Sequence, residues 1–179
     1  MKASSVNTMT RWLLPAIAIT LLLVLLFKAM SLQAGQKGNG NVKSFPAFEL
    51  KDLQTNKSVT QKSLLGKSHI VHVWASWCGP CLNEHKLWVK VKKKWPNIDI
   101  VSITYRDEPS DVLAFLKRGG NPYKTILNDQ KGQLGIALGI IGTPETFLVD
   151  PQGNIIAHQV GSLEMSQFEK QFLPKLINE

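Results

Sequence analysis

Cysteine is scarce in this chain of 179 residues: Cys78 and Cys81 are the only two. A disulfide scaffold is thereby excluded, because small stapled folds need several bridges. Zinc is disfavoured on the same count, since it takes four ligands and only His85 stands near the two thiols. Arginine is nearly as rare, with Arg11, Arg106 and Arg118 the complete set. The formal charge of +8 and the pI of about 9.6 therefore rest on lysine, clustered at Lys90, Lys92, Lys93 and Lys94 and scattered elsewhere. Without arginines and interleaved aromatics these lysines read as solvated faces with a minor attraction to acidic lipids, and no nucleic-acid partner is expected. Internal repeats are absent too, and 44% hydrophobic with 19% charged residues is the composition of a folded domain with a core.

Long hydrophobic runs are lacking, with one exception. Trp12 to Phe27 carries no charge, and Ala29 and Met30 extend it past Lys28. A spanning helix uses about 20 residues, slightly more than this, but the Lys28 stem can lie along apolar surface while its ammonium reaches the interface. The rival reading is a cleaved signal peptide with Lys2 and Arg11 as its charged start. No Ala-x-Ala site follows, and Leu32-Gln33-Ala34 is a poor substitute, which favours an uncleaved anchor. The expected division is a cytoplasmic tail at 1–11, a transmembrane anchor at 12–30, a flexible tether at 31–41 and a folded domain at 42–179. Lys2 and Arg11 face Lys28, Lys37 and Lys43, so charge does not set the orientation; a short tail is easier to leave in the cytoplasm than to translocate, which puts the domain outside.

In the domain, Phe45 to Leu50 and Asn56 to Val59 suggest a short hairpin or an extended lead-in. His69 to Ala75 is apolar and β-branched and reads as a strand buried on both faces. After it the period changes: Cys81, Glu84, Trp88, Val91 and Trp95 recur every three or four residues, one face of a helix that Pro96 stops. Ile98 to Thr104 is a second strand, and Ser110-Asp111 can cap a helix that ends at Gly119-Gly120. Lys124 to Leu127 suggests a short strand, Asn128 to Gly132 a turn, and Gln133 to Leu138 one or two helical turns. Glu145 to Val149 and Asn154 to Val160 are strands joined by the turn Asp150-Pro151-Gln152-Gly153. Ser166-Gln167-Phe168-Glu169 matches a capping box ahead of a last helix with Phe168, Phe172 and Leu176 on one face. This order implies an α/β fold with a mixed central sheet and helices on both faces.

Two cysteines three apart, between a strand and a helix, suit two-electron thiol–disulfide exchange. Cys78 would face unpaired backbone N–H groups and the positive end of the helix dipole, which lowers a thiol pKa and marks it as the nucleophile. Cys81, one turn inside, can resolve the mixed disulfide. Pro80 suits a first helical turn, and Gly79 leaves Cys78 open to a bulky partner. A static bridge would close too small a loop to constrain the chain. Glu84 shares the inward stripe with Cys81; a carboxyl there is costly as an ion, so its pKa is expected to rise and it can move protons for Cys81. The alternative is an edge carboxylate paired with a lysine.

Val73-Trp74-Ala75-Ser76-Trp77-Cys78 with Cys81 and Glu84-His85, then Tyr105-Arg106-Asp107, Gly120-Asn121-Pro122-Tyr123 and Gly142-Thr143-Pro144-Glu145-Thr146-Phe147-Leu148-Val149-Asp150, resemble the thioredoxin-fold cytochrome c biogenesis family called DsbE or CcmG. The resemblance covers most of the chain from about residue 42 and includes the anchor. It implies a thioredoxin-like fold and a thiol-disulfide oxidoreductase held in the bacterial periplasm by a single inner-membrane span. The implied task is that of a dithiol reductase in cytochrome c maturation, keeping apocytochrome c haem-binding cysteines reduced directly or through another maturation thiol protein. A membrane electron donor of the DsbD or CcdA type would re-reduce it, with no metal or cofactor beyond the Cys78–Cys81 disulfide. The family also implies a cis Thr143–Pro144 bond beside Cys78, where Trp77, Gly79, Pro80, Thr143, Pro144 and Glu145 would meet a peptide added as a strand; turn chemistry is the other use of such a proline. Glu84 and Glu145 would belong to an acidic patch around the cysteines.

The chain departs from this family at two points. Gly79-Pro80 is the dipeptide of general thioredoxins, and His72 stands where they hold a buried aspartate, as a proton relay or as a hydrogen-bonded core histidine. His69, His85 and His158 receive no role. Two other functions fit the same cysteines: a broad periplasmic reductase or oxidant, and a tethered module whose partner affinity follows its redox state.

Overall fold

The computed structural model describes residues 20–22, 24 and 43–177. The tail expected at 1–11, most of the anchor expected at 12–30 and the tether at 31–41 lie outside them. Thr20–Leu22 and Val24 are helical. Among the described residues no helix is long and apolar enough to cross a membrane. Residues from Val42 onward form one compact unit.

Among its described residues are eight strands: β1 (Lys43–Ser44), β2 (Glu49–Lys51), β3 (Ser58–Thr60), β4 (His69–Trp74), β5 (Asp99–Tyr105), β6 (Thr125–Asp129), β7 (Glu145–Val149) and β8 (Asn154–Val160). Six of them form a mixed sheet in the order β1-β8-β7-β4-β5-β6, and β2 and β3 make a separate hairpin. β4, β5 and β6 run parallel, whereas β7 lies antiparallel to both β4 and β8. The parallel pairs need crossovers, supplied by helices α1 (Gly79–Lys94) and α2 (Pro109–Gly119). α3 (Gln133–Leu138) precedes β7. The last helix, α4, runs from Met165–Gln167 through a π-helical Phe168–Phe172 into Leu173–Ile177.

Alternation along β4 divides the core. Ile70 and Trp74 pack with Trp88 and Val91 of α1, Val112 and Leu116 of α2, and Phe168 and Phe172 of α4. Val71 and Val73 pack on the other face with Leu134 and Leu138 of α3 and with Phe45. Helices therefore cover both faces of the sheet, and all six residues of β4 are buried, as its apolar run implies. β4 is the strand whose C-terminal end delivers the cysteines.

Several boundaries differ from the sequence reading. α2 begins at Pro109 with Glu108 as its N-cap, so Ser110 and Asp111 lie inside the first turn; a proline there forfeits only an N–H that has no intrahelical partner. Asn128 and Asp129 extend β6, because their pairing with Thr104 and Tyr105 of β5 outweighs their turn preference. The box at the start of α4 falls two residues early: the Gln167 side-chain oxygen accepts the Glu164 N–H at 2.9 Å. The turn joining β7 to β8 forms as read, with the Asp150 carboxylate accepting the Gln152 and Asn154 amides and Gly153 at φ 87°.

Candidate active site

Between the end of β4 at Trp74 and the start of α1 at Gly79 only four residues intervene, so Cys78 is fixed at the mouth of the helix. It is the N-cap, with extended backbone, and its sulfur accepts the Cys81 N–H at 3.3 Å. Such an N–H is one of the donors a helix start leaves unpaired, and together with the dipole it favours a thiolate at Cys78 over one at Cys81. The two sulfurs are joined in a disulfide. Cys78 is 5% exposed and Cys81 0%, so an external thiol or disulfide can reach only the first.

Trp77 is 62% exposed beside it, with its indole N–H donating to the Arg106 carbonyl at 3.2 Å. Gly79 and Pro80 are also exposed, and a Cβ added at Gly79 would meet nothing. Across from them the Thr143–Pro144 bond is cis, and the Thr143 carbonyl oxygen lies 3.4 Å from the Cys78 sulfur. The loop before β7 thus forms the second wall of the cysteine site.

Asp107 was given no separate role by the sequence, yet it holds the turn before Cys78. Arg106 takes a left-handed backbone at φ 49°, and the buried Asp107 carboxylate that follows accepts the Ser76 N–H, the Ser76 hydroxyl at 2.8 Å and the Glu108 N–H at 2.9 Å. No local period marks a pairing between residues so far apart in the chain.

Glu84 lies one turn beyond Cys81 on the inner face of α1 and is buried. Its Oε1 accepts the Leu163 N–H at 2.8 Å, and its Oε2 lies 3.0 Å from Nε2 of His72. The edge carboxylate paired with a lysine is therefore overturned, and the partner is a histidine from β4. Nδ1 of His72 lies 2.9 Å from the Tyr123 hydroxyl, making His72 a core histidine bonded at both nitrogens. Burial, with the Glu84 carboxylate adding to it, pushes the Tyr123 phenol well above its ordinary value, so the phenol keeps its proton.

Glu84 and Glu145, expected together in an acidic patch around the cysteines, each meet a histidine inside the domain. Glu145 is buried as well: its Oε1 accepts the Ile141 and Gly142 amides at 2.7 and 3.2 Å, and its Oε2 lies 2.6 Å from Nε2 of His158. A carboxylate inside a protein needs donors, and here a loop and an imidazole supply them. His158, without a role in the sequence reading, is 38% exposed at its side chain and stacks on Phe147 at 4.1 Å. Its bond anchors the loop that carries Thr143 to Cys78. His85, the third ligand a zinc reading would need, faces the Gly120 carbonyl through Nε2 at 3.0 Å, and burial holds its pKa below the ordinary value.

A two-cysteine cap on a helix, a second wall from a cis-proline loop and a mixed sheet beneath them define a thiol-disulfide oxidoreductase of the thioredoxin-like class. Residues 40–172 match the Redoxin family. The chain is 36% identical over 159 residues to thiol:disulfide interchange protein DsbE of Pseudomonas fluorescens biotype C, covering 87% of this chain and 88% of that one. It is 33% identical to DsbE of Pseudomonas aeruginosa over 90% of each chain. A Chlorobium tepidum protein solved as a candidate DsbE superposes with a TM-score of 0.64 at 26% identity, over 75% of this chain and 96% of that one. The chain belongs to the Redoxin family, among its thiol:disulfide interchange proteins of the DsbE kind.

Proposed function

We propose that this oxidoreductase is a periplasmic dithiol reductase of cytochrome c maturation, keeping the haem-binding cysteines of apocytochrome c reduced directly or through another maturation thiol protein. The observation that carries a reductase is the unequal pair: a reachable Cys78 at a helix cap and a fully buried Cys81 with Glu84 one turn behind it. In the reaction the Cys78 thiolate attacks a substrate disulfide, forming a mixed disulfide and releasing one substrate thiolate. Cys81 then loses its proton to Glu84 and attacks the Cys78 sulfur. The Cys78–substrate bond breaks, its electron pair leaves on the second substrate sulfur, and the Cys78–Cys81 disulfide remains. A membrane dithiol of the DsbD or CcdA type returns two electrons, so the disulfide itself is the only redox group required.

The cytochrome assignment draws on the sequence motifs that resemble the cytochrome c biogenesis family, and the apolar run at 12–30 is what supports tethering to the inner membrane by one span with the domain in the periplasm. Trp77, Gly79, Pro80, Thr143 and Pro144 supply the rim on which a peptide would lie, and Glu145 fixes that rim from beneath. Gly79-Pro80, shared with general thioredoxins, favours one other reading, a broad periplasmic reductase.

Trapping separates the two. Cys81→Ala is expected to accumulate mixed disulfides through Cys78 in cells, and Cys78→Ala is not. Cytochrome c or maturation proteins among the trapped partners would support the proposal. Many unrelated secreted proteins without them would replace it with the broad reductase, and equal trapping by both variants would overturn the choice of nucleophile.

A further inference from the structure

Tyr123, His72 and Glu84 form a buried chain of hydrogen bonds ending one helical turn from Cys81, and its polarity can be read from the bonds. The phenol keeps its proton, and a buried O–H left undonated is costly. Among the described residues its partner is Nδ1 of His72, so Tyr123 donates and Nδ1 accepts. With Nδ1 accepting, the imidazole hydrogen lies on Nε2 and is donated to Oε2 of Glu84. Glu84 receives a second N–H from Leu163 and, as a carboxylate, retains lone pairs to accept a proton.

We propose that Tyr123 and His72 are positioning residues that hold Glu84 ready to take the Cys81 proton, the phenol fixing the tautomer of the imidazole and the imidazole fixing the carboxylate. This rests on the reading of Glu84 as the proton acceptor for Cys81. When the Cys81 thiol gives up its proton, the Glu84 carboxylate takes it, and the hydrogen bonds running from Tyr123 through His72 to Glu84 keep their direction. Were the imidazole hydrogen on Nδ1 instead, its Nε2 lone pair would face that of Glu84 Oε2. That contact would have no hydrogen to hold it, and the carboxylate would lose the donor that fixes its orientation toward Cys81.

The other groups around His72 do not displace this arrangement. Ser102 of β5 and Thr146 of β7 are its register partners and do not titrate in the working range. The Trp74 and Trp88 rings flank the imidazole. His85, from the same helix as Glu84, has its pKa lowered by burial and faces Gly120. Cys81 belongs to the same cluster of packed residues and is the thiol served.

The full chain, reduced and mixed with the chromogenic disulfide 5,5′-dithiobis(2-nitrobenzoate), releases one thiolate when Cys78 attacks and a second when Cys81 resolves. Stopped-flow traces between about pH 5 and 9 therefore give a pH profile for each step. Tyr123→Phe, which removes one oxygen and leaves the ring packing intact, is expected to raise the midpoint of the second phase by about one pH unit, with the first phase unchanged. His72→Gln should do the same. Wild-type second-phase profiles in both variants, with Glu84→Gln altered, would overturn the positioning roles and leave Glu84 standing. An unaltered profile in Glu84→Gln would overturn the acceptor itself and this inference with it. A lower unfolding midpoint in Tyr123→Phe without any change in the second-phase profile would mark a merely structural tyrosine and also overturn it.

Discussion

Asp107 ties the turn that delivers Cys78 to the start of α2, and its removal would leave the Ser76 amide facing a cavity with no acceptor. Asp107→Ala is expected to cost about 1–3 kcal/mol, the usual penalty for an unsatisfied buried donor. It should also slow attack by Cys78, because the turn no longer holds its sulfur at the helix cap. Urea unfolding reads the first effect and the first phase of thiolate release reads the second. Full stability in the variant would show that water replaces the carboxylate. At this scale the sequence reveals what local spacing encodes. The cysteines at a helix start and Glu84 on the inward stripe are readable because three-residue spacing places them. Asp107 with Ser76, His72 with Tyr123 and Glu145 with His158 are not, because each pair joins different elements and no period connects its members. The same gap hides the partners of the two carboxylates that the resemblance groups around the cysteines: the histidines that meet Glu84 and Glu145 inside come from other strands.

Helix α1 shows how far periodicity reaches. Cys81, Glu84, Trp88 and Val91 are all buried, as the stripe requires, while Lys86, Lys90, Lys93 and Lys94 lie on the exposed face. His85 and Leu87 broaden the buried face beyond the stripe, since α2 and α4 enclose the helix from two sides. Val91→Ala should therefore cost about 2 kcal/mol through lost burial and the cavity left behind. Lys90→Ala should stay within about 0.5 kcal/mol of the parent. Denaturant midpoints with a shared slope test the contrast, and similar losses at both positions would contradict the packing assigned to this face. Helix ends were less legible than helix faces. The start of α2 at Pro109 and the box at Glu164 and Gln167 are chosen by where the chain leaves the sheet, which a local signal such as Ser110-Asp111 does not report.

Over the whole domain, buried histidines tie stability to pH. His69 opens β4 and donates from Nδ1 to the Lys67 carbonyl at 3.0 Å, and burial outweighs that bond and holds its pKa below 6.5. His85 is lowered for the same reason, against the pull of the Gly120 carbonyl. Between 6.5 and those depressed values the unfolded chain binds protons that the folded one refuses, so the stability is complete above about pH 7 and falls as pH drops through the ordinary histidine value. Asp99 acts lower on the scale. Burial pushes its carboxyl up, but hydrogen bonds from Lys124 and Lys67 outweigh it and leave the pKa below 3.8, so its contribution survives until pH falls through that value. Two separate declines are expected in unfolding midpoints followed from about pH 7 to pH 3, the first from the histidines and the second from Asp99. Replacing both histidines, His69→Gln with His85→Gln, should flatten the first decline, while Lys124→Ala weakens the second and, because its ammonium also lowers His69, has a smaller effect on the first. The slope is the quantity to compare, since glutamine at a packed site also lowers the overall level. An unchanged slope between about pH 7 and pH 5 in the double variant would mean that these imidazoles gain their protons without leaving the core.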